Sequence, residues 1–70
     1  MMSYATEFIA HISALNITKF RLYDIILHTG SGYPNSVLRD IKRILKACNK
    51  HLEEEIINNK GVKEFTIIEG

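Results

Sequence analysis

Three kinds of staple are missing or nearly missing from this chain. A single cysteine, Cys48, excludes an intrachain disulfide framework and fits a reducing compartment. Tryptophan is absent and proline occurs once, at Pro34. The most apolar stretch, Phe20 to Leu27, is broken by Arg21 and Asp24 and is far below the ~20 residues of a spanning helix. Met1-Met2-Ser3-Tyr4 carries no basic stretch leading into a long apolar run, so no secretory signal is read there. The location expected is cytoplasmic, with no membrane partner. Charge of one sign is scarce as well. Nine Lys and Arg stand against eight Asp and Glu, for a net charge of +1.

The chain nevertheless has the material of a folded domain. Of its 70 residues 46% are hydrophobic and 24% charged, which argues against a disordered tail. The length allows one small domain, residues 1–70, and is too short for many enzyme architectures. In a chain of this size one core supplies only a few kcal/mol, roughly 3–5, so added support from a partner is a natural expectation.

Periodicity places the elements. Ala5, Phe8, Ile9, Ile12 and Leu15 share a helical face, with Ser3 as N-cap and Asn16 as a residue suited to the left-handed turn that ends a helix. Ile17 to His28 is apolar nearly all round. It reads as a helix capped by Thr18 and stopped by Gly30, with a strand as the alternative, since Ile17, Thr18, Phe20, Tyr23, Ile25 and Ile26 are good β formers. Gly30 to Asn35, with two glycines and the proline, is the one strong loop signal. From Asn35 or Ser36 to about Asn58, Leu38, Ile41, Leu45, Cys48 and Leu52 recur three and four apart and predict a long helix. Gly61 stops it, and Val62 to Ile68 alternates as a terminal strand.

That outline carries two difficulties. A helix over 36–58 would be ~34 Å long, against a diameter of roughly 28 Å for a domain of this size. It therefore breaks, near Asn49-Lys50, or overhangs. A lone strand also leaves backbone donors and acceptors without partners. Homodimerisation or docking on another protein would answer both.

The charges are segregated. Residues 1–50 hold seven cations and three acids, and residues 51–70 hold two cations and five glutamates. On a helix Arg39, Arg43, Lys46 and Lys50 line one face, with Lys42 beside them. Such a ridge suits phosphates or an acidic protein surface. The plain alternative is an ordinary solvated face. Glu53-Glu54-Glu55 would sit near the unfavourable C-terminal end of the same helix. One account has the triplet meeting the ridge of a second copy.

Chemistry finds little support. Cys48 and His51, with His11 and His28 elsewhere, match no zinc-ligand spacing, and Cys48 falls on the apolar stripe. Gly30-Ser31-Gly32 lacks the lysine of a phosphate loop and the third glycine of a dinucleotide fingerprint. No nucleophile has an evident base. No enzyme activity, metal or cofactor is expected.

The fold class expected is mostly α (small α+β): two short helices, a Gly-rich loop, one long amphipathic helix and a short C-terminal β-strand. The function expected is a non-enzymatic protein-interaction module. It would be an inhibitor or adaptor docking on a larger protein or nucleoprotein assembly through Arg39, Lys42, Arg43, Lys46 and Lys50, with Tyr33 as an aromatic anchor. The alternative is a small winged-helix or helix-turn-helix DNA-binding regulator using the same helix. Three features count against it: the Thr29–Pro34 link exceeds the usual 3–4-residue turn, a wing needs two strands where one is read, and a pI near 7.9 is low for a nucleic-acid module.

Overall fold

The computed structural model describes residues 3–70; Met1 and Met2, part of the leader reading, lie outside them. Six elements follow in the order α1 (Tyr4–Ala14), β1 (Lys19–Arg21), α2 (Leu22–Thr29), α3 (Pro34–Ala47), β2 (Lys50–Ile56) and β3 (Lys63–Glu69). The strands form one antiparallel sheet in the order β1-β3-β2. The class is α+β, three helices with a three-stranded sheet, and the mostly helical expectation is corrected on that ground.

The first helix follows the sequence reading except at its end, where it stops at Ala14, and Leu15, expected on the apolar face, is an exposed C-cap. The Ser3 hydroxyl accepts from the Thr6 amide at 3.2 Å, and Asn16 takes a φ of 56° just beyond the end. Residues 17–28 are neither one helix nor one strand. The chain pairs briefly as β1 and turns into α2 at Leu22, where the Arg21 amide donates to Asp24 Oδ2 at 2.8 Å. Arg21, not Thr18, occupies the N-cap position. Gly30 ends α2 with a φ of 69°, where a side chain would be strained.

The next helix starts earlier than its expected cap. Pro34 occupies the first turn, where its missing N–H costs nothing, and Tyr33 is the N-cap. The α2–α3 connection is therefore only Gly30 to Tyr33, within the usual length for two crossing helices. It is fixed by its own side chains. Thr29 Oγ1 donates to the Ile25 carbonyl at 2.6 Å and accepts from the Ser31 amide at 3.2 Å. Ser31 Oγ accepts from the Tyr33 amide at 3.0 Å.

The long helix is the principal correction. α3 ends at Ala47, and Asn49 turns the chain with a φ of 62° into β2. The break falls where the length argument placed it, but a strand follows it. Asn58 Oδ1 accepts from the Lys60 and Val62 amides, and Gly61, with a φ of 77°, completes a tight turn into β3. β3 then runs between two partners, Phe20 opposite Phe65 on one side and Leu52 opposite Ile67 on the other. The strand expected to be unpaired is the centre of the sheet.

One core joins the layers. Ala5, Phe8 and Ile12 from α1, Ile25 from α2, and Val37, Leu38, Ile41 and Leu45 from α3 close on Phe20 and Phe65. Phe8 meets Phe20 edge to face at 5.1 Å, and Phe20 lies 5.6 Å from Phe65. Cys48 is outside this core. It caps α3 and is exposed, because the helical stripe that seemed to include it has already ended. Phe65→Ala removes the central ring and is expected to cost ~3–5 kcal/mol. Urea denaturation followed by circular dichroism checks this, and a loss below 1 kcal/mol, roughly the scale of a surface change, contradicts the assignment of Phe65 to the core.

Candidate functional site

The outer side of α3 is set by its inner side. Val37, Leu38, Ile41 and Leu45 are buried, so at 100° per residue the opposite face carries Asn35, Ser36, Arg39, Arg43 and Lys46. All five are exposed. Among the described residues no carboxylate lies within ion-pair distance of Arg39, Arg43 or Lys46. Seven residues of helix separate Arg39 from Lys46, a rise of ~10 Å. That spans about three base steps at ~3.4 Å each. Asn35 and Ser36 were not singled out from the sequence, because a start at Asn35 or Ser36 makes them caps instead of surface donors.

The remaining cations are differently placed. Lys42 sits on the flank of α3 that faces β2, and its Nζ donates to Glu54 Oε1 at 3.3 Å. Lys63 approaches Glu54 Oε2 at 3.5 Å. Lys50 is not on the helix at all. It opens β2 and pairs with Glu69 at 3.7 Å, while lining one shallow groove with Lys42 and Lys46. Tyr33 is 78% exposed at the N-terminal end of α3, beside Tyr4, Glu7 and Asp40. The six expected contact residues thus divide three ways: an unpaired ridge of Arg39, Arg43 and Lys46, a cluster of Lys42 and Lys50 toward the sheet, and Tyr33 at the loop.

The glutamate triplet lies on a strand, not on a helix, and the pleat divides it. Glu54 shares the inner face with Phe65, its register partner. Glu53 and Glu55 point to the other face, opposite Thr66 and Glu64. That outer face also holds Arg21, whose Nε lies 3.9 Å from Glu64. The acids of β2 and β3 are therefore mostly turned away from the helices. The sequence held a signal for this hairpin: Asn58-Asn59-Lys60-Gly61 between apolar residues is turn chemistry.

The Glu54 carboxyl has a displaced pKa. The hydrogen bond from Lys42 and the charge of Lys63 hold its carboxyl below the ordinary value of 4.5, against a smaller opposing effect of desolvation. Among the described residues no group of three or more His, Cys, Asp or Glu could hold a metal ion. No helix of the described residues is long and apolar enough to cross a membrane. No protein-family model matches the chain, no curated protein matches it, and no solved structure matches it.

Because the folded pKa of Glu54 is depressed, its contribution to stability is present above pH ~4.5 and lost as pH falls through the folded value. Glu54→Gln is expected to flatten the pH dependence of Tm below about pH 4.5. Thermal melts from pH 3 to pH 7 check it. A variant curve parallel to that of the wild type would show that the two lysines exert no such hold.

Proposed function

We propose that this chain is a DNA-binding module of the winged-helix kind, with α3 as the reading helix and the β2–β3 hairpin as the wing. The observation that carries the reading is the outer face of α3: Arg39, Arg43 and Lys46, exposed and without an ion pair among the described residues. Asn35 and Ser36 add donors and acceptors at its N-terminal end. The architecture supports it. The α2–α3 connection is short, and the hairpin has two strands, so the two architectural features that counted against this reading are gone, while the pI near 7.9 stands. The two difficulties that favoured a docking module have gone with them, since α3 stops at Ala47 and β3 is paired on both sides.

Each group has a role in this reading. A helix of this diameter fits the major groove, where an arginine can meet the O6 and N7 acceptors of guanine with two donors. Arg39 and Arg43 take that part. Lys46 contacts phosphate, and Lys42 does so after parting from Glu54. At the wing, Lys60 next to Gly61 offers a further phosphate contact. No chemistry on the nucleic acid is involved, and no cofactor is needed.

Fluorescence anisotropy of labelled duplex DNA, titrated at low and near-physiological salt, tests the reading. Binding is expected to weaken steeply with salt. Arg43→Glu with Lys46→Glu is expected to lower affinity by at least about 100-fold while leaving the circular dichroism spectrum unchanged. Absence of binding at low salt, or full binding by the double variant, overturns the proposal. In that event the same ridge belongs to the docking reading, for which an acidic protein surface is the complementary partner.

A further inference from the structure

A helix covered on one side ordinarily turns polar residues outward. α2 does not. Leu27 is 65% exposed, Tyr23 64% and Ile26 40%, and their spacing sets them on one helix face. Leu27 also lines an open groove of about 400 Å³ between α1, β1 and α2. Ile17 lines the same groove and is 38% exposed. At ~200 Å² for a side chain of this size, the four expose on the order of 410 Å² of mainly apolar surface. That lies within the ~300–600 Å² found for the largest patch on an ordinary monomer, a patch that is often functional.

The charges of this groove identify its occupant. Lys19 and Asp24 both line it, and among the described residues neither has an ion pair. Asp24 spends one oxygen on the Arg21 amide. His11 and His28 line the groove too, their rings stacked 3.8 Å apart, and the Lys19 and Asp24 charges of such a patch can each meet the opposite charge of a second copy under a two-fold rotation, which presents the same surface from both sides. The outer face of α3, whose charged residues are Arg39, Arg43 and Lys46, would repel its own copy. We infer that the α2–β1 face is the interface of a two-fold homodimer, with Lys19 of each protomer opposite Asp24 of the partner subunit and Leu27 at its centre. Two such patches supply ~800 Å² of apolar surface toward the ~1,200–2,000 Å² of a stable interface.

Sedimentation equilibrium on the full chain, without DNA, tests this. A concentration-dependent dimer is expected. Leu27→Glu should raise its dissociation constant by about 100-fold or more, and Lys19→Glu, which sets like charges opposite each other, by about 10-fold. Lys19 is an exposed residue outside the core, so its variant keeps the test valid should Leu27→Glu fail to fold. A wild-type chain that stays monomeric at all concentrations, or a dimer whose constant is unmoved by Lys19→Glu and by a folded Leu27→Glu, overturns the inference. DNA is not in the measurement, so its failure would leave the reading of α3 untouched.

Discussion

The packing of Phe8, Phe20 and Phe65 is the contact on which the rest of the structure depends. Each ring comes from a different element, α1, β1 and β3, and each is almost wholly buried. β1 is only Lys19–Arg21, too short to hold its place by ladder hydrogen bonds alone, even with the Ile67 amide donating to the Thr18 carbonyl at 2.8 Å. The Phe20 ring anchors it between the helices and the sheet. α2 begins at the residue after β1, with no linker to absorb a change of direction. The Gly30 to Tyr33 turn, closed by Thr29 and Ser31, then sets α3. The orientation of the basic ridge is thus inherited from the aromatic contact through two rigid joints.

Alternation on the strands separates the charges. A helix over 50–58 would have spread Glu53, Glu54 and Glu55 around three directions near the basic ridge. On β2 two of them leave for the outer face of the sheet, and the third turns inward to Lys42 and Lys63. One change of period, from 3.6 to 2, converts an acidic cluster beside α3 into a remote one plus a local pair.

What could be read from the sequence follows the same division between local and distant causes. α1 was legible because its cap, its apolar face and its terminal asparagine all lie within the segment. Length alone left the long helix either broken near Asn49-Lys50 or overhanging, and the structure has the break. β2 was not, because Leu52 and Ile56 continue the three-and-four spacing of α3 and also alternate about Glu54, and glutamate is a better helix former than strand former. Only pairing with β3, thirteen residues or more from most of its partners in the chain, decides between the periods. The unpaired-strand argument was sound in requiring a second strand, which residues 50–56 supply. For the candidate site, the ridge residues Arg39, Arg43 and Lys46 were legible from spacing, whereas the position of Lys50 depended on the misread helix.

A net charge of +1 is a poor guide to whether such a surface can hold a polyanion. At physiological salt the Debye length is ~8 Å, and packed layers lie roughly 8–10 Å apart. Glu53, Glu55 and Glu64, on the far face of the sheet, are therefore largely screened from a ligand at the outer face of α3. The local field there is that of Arg39, Arg43 and Lys46, with Lys42 partly offset by Glu54. Those cations are unequal in what they can give. In the proposed reading the three without an ion pair among the described residues would meet a phosphate or a base edge at no cost in broken contacts, while Lys42 would first release a carboxylate whose own proton affinity its hydrogen bond has lowered. Through Glu54 the hairpin thereby weakens the cationic character of one edge of the ridge.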